Sequence, residues 1–251
     1  MMKGIFTAAS GSLAIERQMA NISNNLANID TDGFKRDFPV FQSVAPKEGN
    51  GIRSDTSLPN PLTFTLVSKN VTDFTQGPLI NTGNSMDVAL EGPGFFTIQS
   101  GNEFRYTRRL SLVITEEGKL LTKNGDKVIG IYGEKNRPIE NLGEGKLTVG
   151  SDGTLSQDGG VVGQLRIVDF QKPYPFEKIG YDQYRLLGQA RPLEVKNTLV
   201  HQGMVEKSNV NPIREMTQMI SALRGYEAYQ KVITSLDDLA GRAVNDLGRV
   251  G

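Results

Sequence analysis

The clearest hydrophobic pattern in the chain lies near its N-terminus, where apolar or small side chains recur at alternating steps of three and four residues. These positions are Ile5, Ala8, Ser12, Ile15, Met19, Ile22, Leu26 and Ile29. Their spacing is that of the a and d positions of a coiled coil. It predicts an amphipathic helix from Ile5 to Ile29, which ends where Asp30 to Gly33 supply turn-forming residues. The apolar seam requires a second helix to cover it.

This second helix is predicted at the opposite end of the chain. Asn211 is a suitable N-cap, Pro212 fits the first helical position, and no further proline interrupts the segment from Ile213 to about Leu247. One stripe on it consists of Met216, Met219, Leu223, Tyr226, Gln230 and Ile233, and another of Tyr229, Val232, Leu236, Leu239 and Ala243. The N-terminal helix covers only one stripe, so we expect the other to contact another copy or a related protein. A single broad core face is the alternative.

Asparagine is frequent along the N-terminal helix, at Asn21, Asn24, Asn25 and Asn28. Because asparagine is a mediocre helix former, its density needs a reason. One reason is a solvent-exposed polar face. The other is contact with protein surfaces, where each amide both donates and accepts hydrogen bonds. The scarcity of charged residues before Asp30 favours the second interpretation.

The middle of the chain changes from a loop-rich pattern to a β pattern. Five prolines between Phe34 and Asn81 predict an extended connector, with one short strand at Leu62 to Leu66. Short β-prone runs separated by glycine-bearing turns then follow at Met86–Leu90, Phe95–Gln99, Phe104–Thr107, Leu110–Thr115, Lys119–Thr122, Lys127–Ile131, Lys146–Val149, Thr154–Ser156 and Gln164–Phe170. Asn124-Gly125 is the strongest hairpin signal. This spacing is typical of an antiparallel sandwich or barrel.

The predicted fold class is therefore α+β, with an N-terminal and a C-terminal helix that form a coiled-coil stalk and a central all-β domain. We expect four segments along the chain. They are the N-terminal helix of the terminal-helix domain (residues 1–35), an extended connector (36–81), the central β domain (82–200) and the C-terminal helix that completes the terminal-helix domain (201–251). A stalk made from the two ends of the chain favours assembly over a single globule.

Composition excludes several classes of function. Lys and Arg together number 28, as do Asp and Glu, so no net charge favours nucleic acid or an anionic membrane. The absence of cysteine removes disulfides and thiolate chemistry. The first ten residues lack the apolar run of a secretory signal peptide, and no segment approaches the ~18 apolar residues of a membrane span. We expect neither a nucleic-acid partner nor membrane insertion.

Catalytic and metal-binding patterns are weak. His201 is the only histidine and has no nucleophile motif nearby. The acidic pairs Glu116-Glu117 and Asp237-Asp238 are adjacent in sequence, so their side chains point apart. The stretch from Asn28 to Gly33 resembles the start of a calcium loop, but Pro39 stands where a bidentate Glu is required. We expect no catalytic, cofactor-binding or metal-binding residues, and hence not an enzyme.

Five stretches resemble motifs of the bacterial flagellar axial proteins, the rod and hook family. Residues 23–28 (SNNLAN) and 30–35 (DTDGFK) are similar to the N-terminal signature. Residues 84–96 (NSMDVALEGPGFF), followed by 106–108 (YTR), resemble the central motif, and 202–211 (QGMVEKSNVN) resembles the C-terminal motif. These motifs span the chain in the family's order. The resemblance is therefore specific.

The resemblance implies a structural subunit of the flagellar basal-body rod, which crosses the periplasm as the drive shaft of bacterial motility. Such a subunit is exported unfolded through the flagellar type III apparatus without a cleaved signal peptide, and it polymerises into a helical tube whose inner layer consists of the terminal helices. Its partners are other copies and other rod or hook proteins. Residues 162–170 look most like a proximal-rod subunit, and Tyr226-Glu227 is also compatible with a distal-rod subunit. Residues 109–112 and 181–200 depart from the family pattern.

The assembly interface is predicted on the two helices. Its residues are Ile5, Ile15, Met19, Ile22, Asn24, Asn25, Leu26, Asn28, Ile29, Met216, Met219, Leu223, Tyr226, Ile233 and Leu236. On this hypothesis the helices are weakly ordered in the monomer and become buried when neighbouring subunits arrive. The rival hypothesis is a secreted binding module that does not polymerise and whose β domain presents loops to a ligand.

Limited proteolysis of the purified monomer separates the two hypotheses. We expect a protease to remove residues 1–30 and the C-terminal helix well before it cuts the β domain, because the unassembled helices lack part of their packing. The readout is the order in which fragments appear. If both termini are as well protected as the β domain, the stalk is already complete in the monomer and the assembly hypothesis loses its main support.

Overall fold

A computed structural model of the chain describes residues 2–44, 64–132, 135–143, 145–180, 182–195 and 197–247. The chain divides into two units. The first, named the helical unit here, comprises Met1–Ala27, Arg36–Asp73 and Val210–Gly251. The second, named the β unit, comprises Asn28–Lys35 and Phe74–Asn209. Each unit therefore contains segments that lie far apart in sequence.

Two long helices dominate the helical unit, and both were predicted. They are α1 (Met2–Ala27) and α2 (Pro212–Leu247). Asn211 caps α2 as expected, since its Oδ1 accepts a hydrogen bond of 3.1 Å from the N–H of Arg214. The predicted end of α1 at Ile29 was wrong. The helix stops at Ala27, and the chain then turns towards Gly33, whose φ of 73° favours glycine.

A two-stranded antiparallel sheet also belongs to the helical unit. It consists of β1 (Asp37–Val44) and β2 (Phe64–Thr72). The pairing begins at Asp37 opposite Thr72 and shifts register between Val40 and Phe41. These residues were predicted mainly as connector, and the short strand expected from Leu62 begins at Phe64. Residues 45–63, which make up much of the predicted connector, lie outside the described residues.

The strands of the β unit are short. They are β3 (Leu79–Asn81), β4 (Asp87–Glu91), β5 (Phe95–Ser100), β6 (Glu103–Thr107), β7 (Leu110–Ile114), β8 (Leu120–Thr122), β9 (Lys127–Tyr132), β10 (Lys135–Pro138), β11 (Leu147–Val149), β12 (Thr154–Gln157), β13 (Gly160–Leu165), β14 (Ile167–Asp169), β15 (Phe176–Ile179), β16 (Gln183–Leu186), β17 (Leu193–Glu194), β18 (Leu199–Gln202) and β19 (Met204–Glu206). Strands β4 to β9, β11 and β12 agree closely with the predicted runs.

Fifteen of these strands join in one antiparallel sheet, and β3 pairs separately with β19. Its main path runs β15, β16, β6, β5, β9, β8, β7, β4 and β18. The central antiparallel β domain is therefore confirmed. Strands β15 to β18 were not predicted, because their stretch is rich in Pro, Tyr and Gly and their pairing is distant. For example, Tyr184 of β16 pairs with Tyr106 of β6.

Two hydrophobic clusters fill the β unit. The larger consists of aliphatic side chains from alternating strand positions, such as Val88 and Leu90 of β4. The smaller is aromatic and gathers around Phe176, whose ring centroid lies 4.9 Å from that of Phe95. Burial in this cluster, together with a hydrogen bond to Asp169, raises the pKa of Tyr174 to about 12.

Across the described residues, neither α1 nor α2 combines the length and the apolar character that a membrane-spanning helix needs.

Replacing Gly118 by Ala tests the packing of the turn between β7 and β8. A Cβ at Gly118 would lie 2.5 Å from the carbonyl oxygen of Leu142, at a φ of +72°. Gly101 is a matched control, because its φ is +61° and nothing lies within 4 Å. We expect both Ala variants to lose about 1 to 2 kcal/mol from the left-handed conformation, and Gly118→Ala to lose about 1 to 3 kcal/mol more. Urea unfolding measures both, and equal losses would contradict the clash.

Candidate assembly interface

The helices α1 and α2 lie side by side and run antiparallel. Residue numbers rise along α1 as they fall along α2, since Gly4 lies next to Leu236, Gly11 next to Tyr229 and Asn25 next to Glu215. A Cβ at Gly11 would lie 2.5 Å from Cζ of Tyr229. The absence of a side chain at Gly11 therefore lets the tyrosine ring lie directly on the α1 backbone.

The predicted seam of α1 faces α2 within the same chain. Ile22 is buried, and Ile5, Ile15, Met19 and Leu26 are half-buried. The residues of α2 that the sequence predicted for assembly and that are half-buried are Met219, Tyr226, Ile233 and Leu236. Gly225 permits this packing, because a Cβ there would lie 2.8 Å from Cδ1 of Ile15. These nine side chains hold the helix pair of one copy together.

Other apolar side chains point away from this seam. On α1 the exposed fractions are 59% for Phe6 and 50% for Leu13. On α2 the exposed fractions are 75% for Ile213, 56% for Met216, 54% for Ile220 and 46% for Leu223. The sequence predicted only Met216 and Leu223 for assembly. The signal that could have found the others was the spacing of seven between Phe6 and Leu13, and the three, four, three spacing from Ile213 to Leu223.

The asparagines of α1 and the turn after it differ in environment. Asn25 is 1% exposed. Its side-chain N–H groups donate to the carbonyl oxygen of Asp37 (2.8 Å) and to Oε2 of Glu215 (3.2 Å), and its Oδ1 accepts from the N–H of Asp37 (3.0 Å). Asn24 is exposed, whereas Asn28 is buried and Ile29 half-buried in the turn that belongs to the β unit. Asn25 thus binds protein surfaces, as predicted, but those of its own chain.

Glu215 is a fully buried carboxylate in the helical unit. Nε of Arg36 lies 2.5 Å from its Oε1 and neutralises its charge. Arg36 also donates from Nη2 to Oε1 of Gln218, over 3.1 Å. Together with Asn25, these contacts join α1, α2 and the start of β1 through one acidic side chain.

A second buried carboxylate, Glu206, lies in the β unit. Its side chain has no exposed surface. Nζ of Lys35 lies 2.5 Å from its Oε1, and Nε of Arg108 lies 3.1 Å from its Oε2. The N–H of Gly77 donates to Oε1 over 2.9 Å. One carboxylate therefore faces two buried cations and one backbone donor.

Backbone carbonyl groups satisfy the remaining donors of these cations. Lys35 donates to the carbonyl oxygen of Thr75 (2.7 Å), and Arg108 donates to those of Gly92 (2.8 Å) and Gly94 (2.6 Å). Lys35, Arg108 and the two glycines all belong to the family-like motifs, as does Glu206 itself. The motifs that lie far apart in sequence therefore meet at one buried charge cluster, which sequence reasoning did not find.

The single histidine lies elsewhere on the β unit. Nε2 of His201 is 2.6 Å from Oε2 of Glu91, and both side chains are partly exposed. This is the arrangement of a surface ion pair. It offers no support for a catalytic role.

Three family models match the chain. They are "Flagella basal body rod protein" over residues 5–35, "Flagellar hook protein FlgE/F/G D1 domain" over residues 89–157 and "Flagellar basal body rod FlgEFG protein C-terminal" over residues 201–247. The first and third cover most of α1 and α2, and the second covers the middle of the β unit. The matches thus include both helices and the strands between them.

Relatives match over the full length of the chain. The flagellar basal-body rod protein FlgF of Caulobacter vibrioides is 32% identical over 250 residues, which is 100% of both chains. The flagellar basal-body rod protein FlgG of Buchnera aphidicola subsp. Schizaphis graminum is 32% identical over 260 residues, with 95% of this chain and 97% of its own covered. FlgF of Rhizobium meliloti is 29% identical over 254 residues, which is 99% of each chain.

The fold and these matches define a structural protein rather than a catalyst. Its described polar clusters are buried ion pairs that hold segments together, and its helices present apolar side chains outwards. The chain belongs to the family of flagellar basal-body rod proteins. This family is one of structural components of the bacterial flagellum.

Replacing Glu206 by Gln tests the role of the buried charge cluster. The variant leaves the Lys35 and Arg108 charges buried without a carboxylate, so we expect it to lose about 3 to 5 kcal/mol of unfolding free energy. Glu117, which pairs with Lys119 on the exposed surface, is the matched control. Glu117→Gln should leave the urea midpoint unchanged. If Glu206→Gln is as stable as Glu117→Gln, the cluster does not stabilise the β unit.

Proposed function

We propose that the chain is a structural subunit of the flagellar basal-body rod and polymerises through its terminal helices into the tube of the drive shaft. The observation that carries this proposal is the exposure of six large apolar side chains on the outward faces of α1 and α2. They are Phe6, Leu13, Ile213, Met216, Ile220 and Leu223. A helix pair that only closed its own fold would carry polar residues at these positions.

The energetics favour covering these side chains. Each is about half exposed or more, and full burial of such a side chain contributes roughly 1.5 to 3 kcal/mol. Covering the half that remains exposed contributes about 1 kcal/mol for each residue on the same basis. Contacts with neighbouring subunits therefore supply several kcal/mol for assembly, in addition to the packing that each helix pair already has.

The helix pair is also the proposed coiled-coil stalk. The alternating spacing of the α1 seam and the antiparallel contacts with α2 support this proposal. The ordering of the helices on assembly stays a prediction, as does the division of the chain at residues 35, 81 and 200.

The location and the partners follow from the family. We infer that the protein lies in the rod of the basal body, where it contacts other copies of itself and other rod and hook proteins. We also infer export through the flagellar type III apparatus without a cleaved signal peptide. The proximal-rod type is the more strongly supported of the two, because the FlgF of Caulobacter vibrioides aligns over all of both chains.

Charge substitutions on the outward face of α2 test the function. Ile220→Asp and Leu223→Asp place a carboxylate where another subunit is expected, so we expect each to abolish swimming and to reduce the chain in purified basal bodies at least tenfold. Ser221→Asp is the control, because Ser221 is exposed beside Ile220 but outside the apolar stripe. All three purified variants should unfold at the urea concentration of the unmodified chain. Normal incorporation of Ile220→Asp and Leu223→Asp would contradict the proposal.

A further inference from the structure

The outward apolar side chains form two separate patches at opposite ends of the helix pair. The α1 patch consists of Phe6 and Leu13, and the α2 patch consists of Ile213, Met216, Ile220 and Leu223. The helices run antiparallel, with Gly11 beside Tyr229 and Asn25 beside Glu215. The α1 patch therefore lies alongside the C-terminal half of α2, and the α2 patch lies alongside the C-terminal half of α1. No single patch on one copy combines the two.

The spacing of the two patches is complementary. Phe6 and Leu13 are seven residues apart, or about 10 Å along the helix axis. The α2 patch offers two holes with the same separation, in the manner of knobs-into-holes packing. Ile213, Met216 and Ile220 border the first hole. Ile220, Leu223 and Arg224 border the second.

We propose that the α1 patch of one copy packs antiparallel onto the α2 patch of the next copy, with Leu13 in the first hole and Phe6 in the second. This inference rests on the proposed function and specifies its interface. In the second hole the guanidinium of Arg224 reaches the face of the Phe6 ring and adds a cation–π contact. The occupant of the α2 patch is thus a second copy of this chain.

The polarity of a filament supports the antiparallel match. When all copies point the same way along a tube, α1 of one copy and α2 of its neighbour run in opposite directions, as they do within one copy. The contact joins two different patches, so it is heterologous and leaves one patch of each type free at the ends of the row. Such a contact generates an open polymer, whereas pairing of each patch with itself generates closed dimers.

Cysteine cross-linking tests this register, because the chain contains no cysteine of its own. We use two full-length variants, Leu13→Cys and Met216→Cys, produced together in cells that lack the unmodified chain, and oxidise the purified basal bodies. Residues joined by a disulfide have Cα atoms within about 7 Å. Within one copy, Leu13 lies about ten residues, or roughly 15 Å, along α2 from Met216. A link between these positions therefore reports a contact between copies.

The expected result is a disulfide-linked dimer of the two variants, with Phe6→Cys and Leu223→Cys giving the same product. The control replaces Met216→Cys by Ser221→Cys, which is exposed on α2 outside the patch. We expect at least a fivefold higher yield for the proposed pairs than for the control.

Other outcomes overturn the inference in distinguishable ways. Basal bodies that contain the chain but show no linkage above the control overturn the register and leave the proposed function intact. Homodimers of Leu13→Cys alone indicate a two-fold contact between α1 patches and also overturn it. Basal bodies that lack even the unmodified chain overturn the proposed function, and the inference with it.

Discussion

Removing a carboxylate from water is among the most unfavourable steps in folding, and it requires opposite charge and hydrogen-bond donors in place of the lost solvent. Glu206 meets this requirement through Lys35, Arg108 and the N–H of Gly77. These three partners come from distant parts of the chain. The β unit is therefore complete only when residues 28–35 are in place, so its central strands depend on a segment that directly follows α1.

The same physical rule organises the helical unit. Lys35 and Arg36 are neighbours in sequence, yet each faces its own buried acid, Glu206 in the β unit and Glu215 in the helical unit. One dipeptide therefore supplies a neutralising cation to each unit. With Glu215 neutralised and Asn25 bonded to it, the inner faces of α1 and α2 are occupied within one copy. Their outer apolar faces remain for contacts between copies, which suits a protein of the rod family.

Local patterns predicted much of the fold. The steps of three and four placed α1, the N-cap at Asn211 placed the start of α2, and glycine-bearing turns placed the strands from Asp87 to Gln157. The pairing of β1 with β2 and of β16 with β6 was not predicted. These strands are defined by partners far away in sequence, and their own composition carries little alternation. Propensity alone does not reveal such non-local hydrogen bonds.

The sequence by itself determined the two helices, the antiparallel β class and the family, because periodicity, capping and motif order are local properties. The tertiary structure decided which face of each helix is covered. Ile22 and Met219, predicted for contacts between copies, pack within one chain, whereas Phe6 and Ile213 are exposed. It also decided that Glu206 is buried. Periodicity shows which residues share a face, but only the folded chain shows which neighbour covers that face and which isolated charge has a buried partner.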